Sequence, residues 1–158
     1  MTRLSVQFEW LRVGPVTRAV AADGHAELHF PDGLRSEPGV YRLVFATRHR
    51  AEVYIGESDN VRRRGRQYRR GDGTQSTSRW IHEHLHDRLC DSAEVAMETM
   101  VSARFAIDEG PWRDTDLARK EHRLILENSA LAIAIAAADD ETDEAPAVVL
   151  NRVAEGHV

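Results

Sequence analysis

Six arginines fall within nine residues of this chain: Arg62, Arg63, Arg64, Arg66, Arg69 and Arg70 in "VRRRGRQYRR". Like charges that close repel one another unless something of opposite sign relieves the strain, so an anionic partner is the first expectation. A second feature is a carboxylate among apolar residues. At about 100° per residue, Leu117, Leu124, Ile125, Leu131 and Ile135 fall on one side of a helix, with Glu121 in the middle of that stripe. A buried carboxylate needs an arginine, a metal ion or a raised pKa. Spacing alone leaves two readings of Glu121 open, a structural pair with an arginine and a functional group. A third feature, "HEHLH" at 82–86, matches the H-E-x-x-H zinc-peptidase helix through His82 and His86. The charged Asp87 follows it and no third ligand is evident, so a solvated helix face is expected there.

The elements that must position these residues can be read from periodicity. "LSVQFEW" (4–10) alternates with period two and reads as a strand; 25–30 is a second short one. "GVYRLVFA" and "EVYIGES" read as a hairpin around "TRHR". A helix capped by Ser58 or Asp59 should run to about Arg70, before "GDG". "STS" at 76–78 can cap a second helix, residues 95–107 alternate as a strand, a long helix spans roughly 115–137, and 147–153 suggests a last strand. Leu126, Ala130 and Ile133 form a second stripe on the long helix, suited to a sandwiched position or a homodimer interface. The order after residue 38 is β-β-α-α-β-α, which predicts an α+β layer structure.

Composition sets the outer bounds. With 158 residues, 42% of them hydrophobic, the chain can bury the core of one domain. No run approaches the roughly 18 apolar residues of a membrane span, and the start lacks a signal-peptide core. A single cysteine, Cys90, suits a cytoplasmic setting. The net charge of −5 hides a segregation: residues 42–82 hold ten arginines against four acids, a local charge of +6, while "DDETDEA" (139–145) is acidic.

Taken in order, "PGVYRLVF" (38–45), "YIGESDNVRRR" (54–64), Tyr68 and "EHRLI" (121–125) resemble the paired signature, arginine helix and glutamate helix of the GIY-YIG nucleases. The resemblance spans about 39–125, with GVY in place of GIY. It implies a small three-stranded antiparallel sheet flanked by helices over 38–158, with 1–37 as an added N-terminal β segment packed on the core. It implies a DNA endonuclease that uses Mg²⁺ or Mn²⁺, held by Glu121. Tyr41 would activate water once a nearby cation lowers its pKa, Tyr54 would orient water or phosphate, and Arg64 would clamp the scissile phosphate. Tyr68 would share the face of Arg64, and the family's asparagine would be Asn151, with Asn128 the alternative. Arg62, Arg63, Arg66, Arg69 and Arg70 would track flanking DNA phosphates. The N-terminal segment suits a restriction-type enzyme. The alternatives are a repair, mobile-element or single-strand nuclease of this family, or a DNA-binding module without catalysis.

Overall fold

In the computed structural model, which describes residues 1–71, 76–139 and 148–151, alternation along Gly39–Ala46 sets the layering. Tyr41, Leu43 and Phe45 enter one apolar cluster, whereas Val40 and Val44 enter a second on the opposite face of the sheet. The elements are β1 (Leu4–Val20), β2 (Ala26–His29), β3 (Gly39–Ala46), β4 (Ala51–Ser58), α1 (Val61–Arg70), α2 (Ser76–Cys90), β5 (Glu94–Ile107), β6 (Arg113–Asp114), α3 (Lys120–Ala138) and β7 (Val148–Val149). Seven strands form one mixed sheet in the order β2-β1-β5-β3-β4-β7, with β6 paired to β5. All pairings are antiparallel except that of β4 with β7. The architecture is therefore α+β. Helices α1 and α2 bury Val61, Tyr68, Ile81 and Leu85 against the Tyr41 face, and α3 buries Leu126 and Ala130 against the Val40 face.

Several boundaries differ from the sequence reading. The first strand does not stop near residue 10 but continues to Val20, in spite of Gly14 and Pro15. A register shift between Arg12 and Gly14 absorbs the irregularity, and proline is tolerated in strands next to such bulges. The cap of α1 is Asn60 and neither Ser58 nor Asp59; its side chain accepts the Arg63 N–H at 2.9 Å. Ser58 is used one step earlier, bonding both the N–H and the C=O of Asn60. At the other end, Gly71 takes φ 65, the left-handed conformation that glycine adopts without strain. Helix α3 starts at Lys120 and not at 115. Asp116 turns the chain first, accepting the Ala118 N–H at 3.1 Å through its side chain. Of the expected strand at 147–153, β7 spans only Val148–Val149, with Leu150 and Asn151 helical and 147 and 152–153 outside the described residues. The acidic segment beyond Asp139 also lies outside them. No described helix is long and apolar enough to cross a membrane.

One charged cluster fastens α2 to the sheet. Glu52 on β4 is 1% exposed, and Arg88 of α2 grips both its oxygens, at 2.7 and 2.9 Å. His84 Nε2 stands 3.1 Å from the same carboxylate, its ring stacked on Trp80. Burial alone would raise the Glu52 pKa, but the bonds from Arg88 and His84 outweigh it and hold the carboxyl below its ordinary range. A carboxyl depressed in the fold contributes stability above its unfolded pKa, and that contribution is lost as pH falls through the folded value. Thermal melting should therefore show an acid-side loss of stability, below the ordinary carboxylate range, that is reduced in Glu52→Gln. At neutral pH the same variant strands Arg88 and should cost about 3–5 kcal/mol in denaturant titration.

Candidate active site

Three phenols meet under α1. Tyr41 of β3 lies directly across the ladder from Gly56 of β4, and the ring runs over that glycine. A Cβ at residue 56 would stand 2.6 Å from Tyr41 Cζ, so no larger residue fits without moving the ring. The Tyr41 hydroxyl meets that of Tyr68 at 2.5 Å, and the Tyr54 phenol faces Tyr68 in turn. Tyr68 stands edge-on to both other rings, with centroids 6.1 and 6.3 Å away. Alternation puts Tyr54 and Gly56 on the Tyr41 face, and helical spacing puts Tyr68 on the inward side of α1.

Arg64, one turn before Tyr68, completes this group. It is half-buried, and its charge lowers the proton affinity of Tyr41, Tyr54, Tyr68 and a carboxylate of α3, Glu127. The other arginines of α1 point outward. Arg62, Arg63, Arg66, Arg69 and Arg70 are all exposed, and Arg63 forms an ion pair with Asp59. Arg62, Arg66 and Arg69 border a shallow depression with Phe30, Pro31 and Leu34. The first N–H groups of α1 are not open to a ligand, because the carbonyls of Glu37 and Arg35 accept those of Val61 and Arg62.

The glutamate expected at the site is elsewhere. Glu121 occupies the first turn of α3 with its side chain 73% exposed, and its ion-pair partner is Arg119 at 3.8 Å. It is not in an apolar stripe, since Leu124 is also exposed and Leu117 precedes the helix. The buried side of α3 carries Arg123, Leu126 and Ala130 instead. The physical reason is Arg123. Its Nε bonds Glu57 of β4 at 2.8 Å and its Nη1 bonds the carbonyls of Leu117 and Ala118, so its charge can be buried. That ion pair rotates α3 to the face bearing Glu127, roughly 120° from Glu121.

Glu127 faces the backbone N–H of Glu57 and feels the charge of Arg64. Burial first, then the Glu57 carboxylate, raises its pKa above the ordinary carboxylate range. Asn151 is on the same strand edge. It accepts the Ile55 N–H at 3.0 Å and donates to the Ile55 carbonyl at 2.7 Å, so both ends of its amide hold β4 backbone. Asn128 is exposed. Glu127, Glu57 and Arg123 were the residues missed in the sequence. The legible sign was the i, i+3, i+4, i+7 spacing of Arg123, Leu126, Glu127 and Ala130.

The phenols also depart from expectation. Tyr41 was expected to have a lowered pKa. Burial pushes it up instead, the Tyr54 phenol adds to this, and the bond from Tyr68 and the charge of Arg64 do not offset them. Tyr54 and Tyr68 are raised for the same first reason, burial. All three are hydroxyls at neutral pH. The histidines of "HEHLH" have separate uses: His82 Nδ1 is 2.8 Å from the Tyr68 carbonyl, and His86 Nδ1 accepts a bond from Arg18 at 3.2 Å.

Compared with models of protein families, with curated proteins and with solved structures, the chain matches none. Gly56→Ala should displace the Tyr41 ring and destabilise the protein by about 1–3 kcal/mol, the usual cost of overpacking. Equilibrium unfolding checks this; an unchanged midpoint would mean that Tyr41 does not need the space above residue 56.

Proposed function

We propose that this chain is a divalent-metal-dependent DNA endonuclease of the GIY-YIG type. In this reading β5, β3 and β4 are the three-stranded antiparallel sheet of that family, and α1 and α3 are its flanking helices. The observation that carries it is the convergence of Tyr41, Tyr54, Tyr68 and Arg64 with the carboxylate of Glu127 near one end of β4. The metal ligand is then Glu127 and not Glu121.

The residues fit a hard cation. The Glu57 carboxylate stands close enough to Glu127 to disfavour charge on it, and Glu57 is paired with the buried Arg123. Mg²⁺ and Mn²⁺ take one or two carboxylates and otherwise keep water, which matches so small a donor set. Such an ion supplies Lewis-acid stabilisation of the phosphoryl oxygens and a more acidic water.

The side chains account for the rest. Arg64 clamps the scissile phosphate with its planar fork. The phenol row holds protons at three adjacent oxygens, so Tyr41 positions the attacking water as a hydroxyl. Asn151 acts as a positioning residue that keeps β4 and its tyrosine in place. The exposed arginines Arg62, Arg66 and Arg69 track flanking phosphates, which gives affinity without sequence information.

The wild-type protein should cut plasmid or linear DNA with Mg²⁺ or Mn²⁺. Glu127→Gln should abolish cleavage and retain DNA binding, whereas Glu121→Gln should stay within about tenfold of wild type. Because the fold disfavours charge on Glu127, the Gln variant should melt no earlier than wild type at neutral pH. Added Mg²⁺ should raise the melting temperature of the wild type but not of Glu127→Gln. Full cleavage by Glu127→Gln would sink this site. Binding without cleavage in every assay would leave a DNA-binding module.

Affinity for DNA should also fall steeply with salt in spite of the acidic composition, because the arginines are local to α1. A dissociation constant that barely changes between low and physiological salt would count against phosphate tracking by this helix.

A further inference from the structure

We propose that the open edge of β1 is a self-association surface, on which the same edge of a second copy of this chain pairs as an antiparallel strand. β1 is hydrogen-bonded to β5 from Leu4 to Val16, but to β2 only from Thr17 to Val20. The segment after β2 follows the outer edge a little further, with Pro31 beside Gly14 and Gly33 beside Val13. From Leu4 to Arg12 the edge facing away from β5 has no strand partner among the described residues. A strand of that length presents a row of backbone donors and acceptors, a template for another strand.

The protection of this edge is light, with only Glu9 and Arg12 charged along it. Natural edges are guarded by lysines, prolines, bulges or short length. Residues 4–12, "LSVQFEWLR", contain no lysine and no proline. The register shift between Glu9 and Trp10 leaves Val101 as the extra residue on β5, so the alternation of β1 is intact there.

The apolar layer beneath this edge is open as well. Leu4 pairs with Ile107, Val6 with Phe105, Phe8 with Ala103 and Trp10 with Met100, all on the face that α3 covers. The cover is incomplete: Leu4 is 47% exposed, Ile107 63%, and Ile133 on α3 59%. A depression lined by Val6, Phe8, Trp10 and Ile133, and on its inner side by Arg42 and Arg104, lies over β1 and β5 next to this edge. An added strand would gain backbone bonds and close this layer at the same time.

A second copy fits better than an unrelated strand because the sequence is complementary to itself. An antiparallel pairing centred on Gln7 sets Leu4 against Trp10 and Val6 against Phe8 on the α3 face. It sets Ser5 against Glu9 and Arg3 against Leu11, with no like charges opposed. Such a contact is isologous and closes after two copies. It does not depend on the nuclease reading.

The test is sedimentation of the wild-type chain across a micromolar concentration series, together with hydrogen exchange at both ends of that series. A dimer is expected, and the amides of residues 4–12 should exchange more slowly at the high concentration. Leu4→Lys combined with Ile133→Lys, both at exposed positions, should give a monomer that still unfolds cooperatively, with a melting temperature that no longer depends on protein concentration. A wild-type monomer throughout would overturn the proposal. So would a dimer whose residues 4–12 exchange equally at both concentrations, a result that needs no variant to fold.

Discussion

The outer edge of β4 must have its backbone satisfied, and most of the site follows from how that is done. β7 pairs with only Glu52 and Val53, so the edge beyond them needs other partners. Asn151 takes both backbone groups of Ile55, and the Glu127 carboxylate faces the Glu57 N–H. In a strand, N–H groups two residues apart point to the same side, so these two caps lie next to each other. Satisfying that edge brings a helix carboxylate round the sheet margin, within the field of Arg64 and the phenols on the other face.

Two buried ion pairs hold the layers that make this possible. Glu52 binds Arg88 and fixes α2 on one face; Glu57 binds Arg123 and fixes α3 on the other. Both acids come from β4, with one residue parity for each face. Buried pairs often contribute little net stability compared with apolar packing, yet breaking one is costly. Here their effect is orientation. The Arg123 pair adds to the burial of Leu126 and Ala130 in favouring this face of α3 over the side that includes Leu124.

The electrostatics of the cluster also depend on packing. Three phenols in an apolar setting resist ionisation, and a single nearby guanidinium does not reverse this. The carboxylate of Glu127 is likewise under-compensated. Both effects follow from one cause, burial with too little positive charge, and a divalent cation would relieve both.

Much of the sheet was legible in the sequence because strand alternation is local. Tyr41, Leu43 and Phe45 on one face, Tyr54 and Gly56 opposite them, and Arg64 one turn before Tyr68 all follow from periods of two and of about 3.6. The helix glutamate was not legible. A hydrophobicity pattern counts arginine as a surface residue, and the opposite charge that lets Arg123 be buried comes from Glu57, 66 positions away. That long-range pair turned α3, exposed Glu121 and brought in Glu127. The phenol pKa values were hidden for a related reason. A sequence shows that a cation is near, but the depth of burial opposing it is decided only when the two helical layers close over the sheet.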